Sequence, residues 1–301
     1  MIHIIITSYN EPKATARAVK SFLNQKIQDD FEIIVVDPFP EVEKFLKKNI
    51  KNKKVKFFLD PGEGKSYALN ILFQEYGSEN KNDIFILTDG DVYISDNTVS
   101  EILNKFKDPK IGCVTGRPVS IDSKGTKYGY WSHLLFAGID KIRRKLSNIG
   151  RFLECSGYLF AIRKGVIFDF PMETSEDSII PYLFWKKGYK IAYADKAEVY
   201  VKNPGNWKDW KNQKIRNIKA HENLDKIAPD MPRTKSFFNE IKEGSLFALT
   251  YPRNFREIIW TMQLYLARLN IYAKAFEELR RNKSYKDGWR EIEIESTKTL
   301  D

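Results

Sequence analysis

Two carboxylates stand one residue apart in IFILTDGDVYIS, residues 84–95: Asp89 and Asp91, with Gly90 between them. Two readings fit this stretch. One is a turn: glycine accepts positive φ and aspartate bonds its own backbone, so Asp-Gly is a strong hairpin signal. The other is a metal site, in which two carboxylates flank a residue without a side chain and hold Mg2+ or Mn2+ beside a ligand's phosphates. The stretch by itself does not choose between them.

Other residues along the chain carry the same kind of chemistry. Asp37 closes the apolar run FEIIVVD, where nucleotide folds often place a carboxylate that accepts from ribose or base groups; next to Pro38 it also reads as a turn residue. In METSEDSII, residues 172–180, the acids Glu176 and Asp177 precede an apolar helix. Thr174 with Asp177 three residues on reads as a capping-box-like start. The functional alternative is a general base at a helix N-terminus. PGEGKSYALN ends like a phosphate-binding loop, but position 59, where that motif needs its first glycine, is Leu59. What remains is a glycine-rich turn presenting Lys65 before a helix, either to a diphosphate or to solvent. QKIRN, residues 213–217, lies in a basic run with Lys208, Lys211 and Lys219, an anion-binding segment or a solvated helix face. His3, His133, His221, Cys113 and Cys155 show no zinc spacing, and no serine nucleophile elbow is present.

These residues need elements to position them. Runs rich in β-branched residues predict strands over 2–7, 31–37, 54–59 and 84–87. Helices are predicted between them over 11–24, 41–49 and 66–75, the first with Ala16, Val19 and Phe22 on one face. Alternating strands and helices imply a mostly parallel sheet with helices on both faces, binding ligands beyond the carboxyl ends of its strands. The segments 8–11, 60–65 and 89–91, and Asp37, all fall at that edge. Beyond residue 91 the pattern predicts helices over 101–106, 130–146 and 176–187. Extended segments are expected over 111–118, 157–163 and 189–200, and a basic, then helical, tail from Trp207 to about residue 285.

Composition bounds the answer. The chain has 301 residues, 42% hydrophobic and 30% charged, which suits a large core and excludes general disorder. Two cysteines exclude a disulfide framework, and the opening MIHIIITSYN does not resemble a signal peptide, so a cytoplasmic setting is expected. No apolar run is long enough to span a bilayer. A formal charge of +10 suits an anionic partner or a lysine-rich, thermophile-like surface.

Taken in order, TSYNEP at 7–12, VVD at 35–37, GKSYALN at 64–70, TDGDV at 88–92, CSGYLFAIRK at 155–164 and SEDSII at 175–180 resemble the family 2 nucleotide-sugar glycosyltransferases of the GT-A fold. The resemblance covers roughly residues 1–220 and leaves 221–301 as a helical C-terminal extension. It implies that Asp89 and Asp91 form the family's Asp-x-Asp metal and donor site, with Mg2+ or Mn2+, and that Asp177 is the catalytic base. It also implies that Tyr9, Glu11 and Asp37 hold the nucleoside, with Thr7, Lys65 and Gly90 as further donor contacts and Gly90 leaving room for the ligand. Glu176, Gln213 and Arg216 become acceptor or diphosphate contacts. QKIRN looks like the family's Gln-x-x-Arg-Trp motif with Asn217 in place of Trp, a departure that weighs against processive polymer synthesis.

The function that follows is metal-dependent, inverting transfer from a nucleotide-sugar, favoured as a UDP-sugar, to a glycan or lipid-linked acceptor. A sugar-nucleotide nucleotidyltransferase would share the sheet and the metal, but should open with a basic, glycine-rich loop where SYNEP stands. A non-catalytic basic scaffold for nucleic acid would explain the charge and not the carboxylates at successive strand ends. In the tail, Ile258, Ile259, Met262, Leu266, Leu269 and Phe276 recur at helical spacing, with Trp260, Tyr265, Tyr272 and basic residues nearby. That stripe suits either an anionic membrane surface or packing on the rest of the protein.

Overall fold

The computed structural model describes residues 1–78, 80–172, 174–232 and 247–280. Four β-branched strands, β1 (Ile2–Thr7), β2 (Phe31–Asp37), β3 (Val55–Leu59) and β4 (Ile84–Asp89), form one half of a sheet. They are joined by α1 (Pro12–Leu23), α2 (Pro40–Asn49) and α3 (Lys65–Glu75). All pairings within this half are parallel. The alternating residues of β1 are buried on both faces. Ile4 and Ile6 meet α1 and α2 through Val19, Phe22 and Val42, while Ile5 faces Leu69 and Leu72 of α3. Strands covered on both sides read as continuous apolar runs, which is why this half is plain in the sequence.

The second half holds β5 (Tyr93–Ile94), α4 (Thr98–Lys105), β6 (Ile111–Ser120), α5 (Lys127–Asn148), β7 (Leu159–Arg163), α6 (Glu176–Lys186) and β8 (Lys190–Val201). The strand order is β3-β2-β1-β4-β7-β6-β8-β5. Here the sheet is mixed: β7 runs antiparallel to both β4 and β6, β5 is antiparallel to β8, and β6 and β8 are parallel. β7 reverses because the chain enters it from the ligand edge, through the irregular segment 149–158, and not by a helical crossover. The hairpin reading of Asp-Gly fails, because β4 pairs with β1 and β7 while β5 pairs with β8 at the far edge.

A third core joins α5 to α7 (Trp207–Ile227) and α8 (Phe255–Arg280). Residue 220, the expected boundary, falls inside α7, and residues 281–285 of the expected tail helix lie outside the described residues. Leu264, Ala267, Ile271 and Ala275 of α8 pack with Trp131 and Trp210. The Trp131 indole donates to the Trp260 carbonyl at 2.7 Å, and the hydroxyls of Tyr130 and Thr261 share a hydrogen bond of 2.7 Å. The stripe singled out in the sequence is the opposite side of α8: Met262 is 62% and Leu266 68% exposed, with Phe255, Ile258, Ile259, Leu269 and Phe276 exposed beside them. Among the described residues no helix is long and apolar enough to cross a membrane.

Candidate active site

The carboxyl edge of the parallel half gathers most of the expected site. β1 and β4 are in register, so Thr7 sits opposite Asp89 and its hydroxyl donates to Asp89 Oδ1 at 3.3 Å. The Gly90 N–H donates to the Thr7 carbonyl at 2.7 Å and fixes the turn. The reason for glycine at 90 differs from the expected one. A Cβ there would lie 2.5 Å from the Ser8 Cβ, so the chain itself fills the space that the sequence reading gave to a ligand.

Asp37 is fully buried, and both carboxylate oxygens are engaged by its own chain. Ser8 Oγ donates at 2.6 Å, the Asn10 N–H at 3.0 Å and the Phe39 N–H at 2.9 Å. These bonds hold the loop after β1, where Asn10 takes a left-handed φ of 55°. Burial raises the Asp37 pKa, and the three donors oppose that rise. Tyr9 packs edge-on against Phe39, ring centroids 5.1 Å apart, and Glu11 precedes α1 close enough to Asp91 for their charges to interact.

Two glycines at positive φ, Gly62 and Gly64, turn the chain so that Lys65 opens α3 pointing into the site. Its Nζ lies 2.7 Å from Asp89 Oδ1 and 2.6 Å from Glu176 Oε1. Burial disfavours the ammonium, but the two carboxylates outweigh it and the Lys65 pKa rises. Glu176 is itself raised, first by burial and then by Asp177 and Asp89, with Lys65 opposing. Lys65 thus ties the end of β4 to the start of α6.

α6 does not start as the capping box would have it. Ser175 is the N-cap, and Thr174 donates to the Pro171 carbonyl at 2.7 Å. Asp177 is oriented instead by the Gly157 N–H, 3.1 Å from Oδ2, and by the Ser175 hydroxyl on Oδ1. Its carbonyl accepts the Cys155 N–H at 2.9 Å, which docks the segment before β7 onto α6.

Sequence reasoning missed Tyr158, although it lies inside the CSGYLFAIRK stretch. Its hydroxyl is pushed up by burial and by the charges of Asp91 and Asp89, while Arg216 of α7 pulls the other way, so it stays an O–H donor among these groups. α7 also brings Gln213, which is buried with an Oε1 that meets no donor among the described residues. Arg17 was missed as well. It stacks over the Tyr93 ring, 4.3 Å from the centroid, with Nη2 3.5 Å from the Asp91 carbonyl.

Asp91 is where a cation fits. Burial, then Asp89 and Glu11, pushes its pKa up to about 8, and its Oδ1 is buried without a hydrogen-bond partner among the described residues. An orphaned acceptor in a surplus of negative charge calls for a counter-ion. Among the described residues no group of three or more His, Cys, Asp or Glu side chains could hold a metal ion. A pair of aspartates suits a cation that takes its other ligands from phosphate and water.

The model of the glycosyl transferase family 2 domain matches residues 3–168, more than half of the chain. An N-acetylglucosaminyltransferase of Rhizobium meliloti (strain 1021) is 22% identical over 244 residues, which is 71% of this chain and 54% of that protein. The chain therefore spans about half the length of that relative. A mannosyltransferase from Pyrobaculum calidifontis, solved in complex with GDP-Man and Mn2+, superposes with a TM-score of 0.59 at 16% identity, covering 93% of this chain and 79% of that one. The fold is of the GT-A type. The chain belongs to glycosyl transferase family 2.

Proposed function

We propose that the protein transfers a sugar, with inversion, from a nucleotide-sugar to an acceptor hydroxyl or phosphate, using Asp177 as general base. The observation that carries this reading is the pair of Lys65 contacts to Asp89 and to Glu176, the neighbour of Asp177, which brings the end of β4 to the helix start that carries the base. A cation thus stands between Asp89 and the residue beside Asp177. Thr7, Tyr9, Glu11 and Asp37 line the nucleoside side, directly or by shaping the loop after β1. Asp91 and Asp89 would hold Mg2+ or Mn2+, which when bound offsets the diphosphate charge. Lys65 adds a protein cation beside the leaving diphosphate. Tyr158, Gln213 and Arg216 orient the diphosphate or the acceptor. Asp177 removes the acceptor proton as the oxygen attacks the anomeric carbon, which needs only one carboxylate within hydrogen-bond reach.

The acceptor is proposed to be a glycan or a lipid-linked molecule presented at an anionic membrane surface. The exposed apolar side of α8, with Arg256 and Lys274 near it, supports that placement. The donor is tested by incubating the full chain with UDP- and GDP-sugars and Mn2+ and measuring nucleoside diphosphate release. Release from at least one donor, abolished by chelation, is expected; inertness toward every donor sinks the reading. The membrane placement is tested by sedimentation with phosphatidylserine vesicles, where binding should be strong at low salt and fall as screening rises.

A further inference from the structure

Behind the base lies a carboxylate that the reaction does not use. Glu154, in the segment between α5 and β7, is 1% exposed, a costly place for a charge unless it is paired. Its Oε2 accepts the Ser178 hydroxyl at 2.6 Å, and His221 Nδ1 of α7 stands 3.6 Å from the same oxygen. Ser178 follows Asp177 in α6, and its Oγ is 3.5 Å from Asp177 Oδ1.

A serine hydroxyl has one proton to give. The short contact to a carboxylate takes it, because 3.5 Å is at the far limit of a hydrogen bond. Asp177 already accepts from Gly157 and Ser175. Every further donor stabilises the carboxylate and makes it a weaker base. We propose that Glu154 is a positioning residue that holds the Ser178 proton away from Asp177 and so preserves its basicity. The inference rests on the reading of Asp177 as base.

Two other titratable groups interact with Asp177, Glu176 on the same helix and Tyr158 from the segment before β7; Lys65 from α3 contacts Glu176, and Arg216 from α7 acts on Tyr158. All are unchanged in the variants below. The measurement is the pH dependence of kcat for nucleoside diphosphate release from UDP-N-acetylglucosamine and from GDP-mannose with Mn2+, on the full chain.

In Glu154→Met the Ser178 hydroxyl is released to Asp177. The acid limb of the profile should move down by about half to one pH unit. Plateau kcat should fall about three- to tenfold, with the donor KM unchanged. Glu154→Gln keeps an amide oxygen that accepts the same proton, and should stay within about twofold of the parent. Loss of the Glu154 charge alone would also lower the limb, so the deciding variant is the double one. Adding Ser178→Ala to Glu154→Met removes the hydroxyl and should return most of the shift. An equal shift in the single and double variants means a charge effect and overturns the proposal.

Ser178→Ala alone decides the matter if Glu154→Met does not fold. The limb should stay in place, because Ser178 gives Asp177 nothing in the parent; a limb that rises shows that it already donates and overturns the proposal. Asp177→Asn separates the two readings. If it retains turnover, the base assignment fails. If it is inactive while the limb is unmoved in Glu154→Met, only the role of Glu154 fails.

Discussion

Each edge of the parallel half of the sheet carries a lysine among carboxylates, and the two lysines are held in different ways. At the carboxyl edge, Lys65 lies within 2.7 Å of Asp89 and 2.6 Å of Glu176, and stays charged. At the amino edge, Lys164 is 1% exposed and rests on His3 Nδ1 and on the Tyr76 carbonyl, 3.1 Å away. An ammonium can donate to Nδ1 only if that nitrogen is unprotonated. The His3 proton then sits on Nε2, which faces Glu32 at 2.9 Å, and Glu32 in turn meets Lys56 at 2.5 Å. This chain is closed, with every member partnered along it. The carboxyl edge is not closed: Asp89, Asp91, Glu11, Glu176 and Asp177 gather there with Lys65 and Arg216, and Asp91 Oδ1 has no hydrogen-bond partner among the described residues. A fully partnered cluster is what structure needs; one with an orphaned acceptor is what a ligand completes.

Substitutions should separate the two edges. The largest effect is expected at Asp177→Asn, which keeps shape but cannot accept a proton. Turnover should fall by about 10² to 10⁴, the usual worth of a general base, with donor binding intact. Single-turnover kinetics beside calorimetric donor binding check this, and comparable turnover removes Asp177 from the mechanism. Asp91→Asn is next. Metal-dependent affinity for a nucleoside diphosphate should be lost, while the fold should be unchanged or steadier by about 1 kcal/mol, because a buried like-charge contact is relieved. Calorimetry with Mn2+ and chemical denaturation give the two readouts. Unchanged metal-dependent affinity returns Asp91 to the role of a turn residue.

The amino edge should behave in reverse. Glu32→Ala leaves His3 Nε2 and Lys56 without their common acceptor and removes a negative charge that acts on Lys164. Breaking a buried pair from one side costs about 3 kcal/mol. Urea denaturation should show that loss, while donor turnover at a temperature where the variant is folded stays within about twofold, since the cluster lies at the opposite end of the strands. A selective loss of turnover would mean that the two edges are coupled.

The sequence showed these edges unequally, for physical reasons. The carboxyl-edge residues of the parallel half follow directly from strands that end in a polar residue, so Asp37 and Asp89 were read with their elements, while Thr7 came only with the family resemblance. Lys65, Glu176 and Asp177 followed from helix starts. The amino-edge cluster was invisible. His3 was read only as scattered, because Glu32, Lys56 and Lys164 come from three other parts of the chain and share no spacing. β5 was missed for a similar reason: two residues, Tyr93 and Ile94, pair with Tyr200 and Val199 and carry no local pattern. In α8 the periodicity was real but double. One apolar side packs on α5 and α7 and the other is exposed, and a helix apolar on two sides does not say which faces in. Tyr158, Glu154 and Ser178 stand as single residues in or beside irregular backbone, where no periodic signal exists.

The smallest effect expected from this comparison is a pH signature of the closed cluster. Burial first, then Lys164, lowers the His3 pKa to about 4, and burial lowers Lys164 to about 8. Both groups bind protons more tightly in the unfolded chain, whose ordinary values are 6.5 and 10.5. Stability therefore rises with pH wherever the unfolded state holds the extra proton. For His3 that window runs from about 4 to 6.5, and for Lys164 from about 8 to 10.5. Within each window the slope is at most about 1.4 kcal/mol per pH unit, and flat between them. Other groups titrate across the same range, so the signature is the difference between the parent and His3→Gln. Glutamine cannot charge, so the lower window should vanish in the variant while the upper one persists. Urea midpoints at half-unit pH steps resolve this. A lower window of equal slope in both proteins would mean that His3 is protonated in the folded state and that Lys164 finds its partner elsewhere.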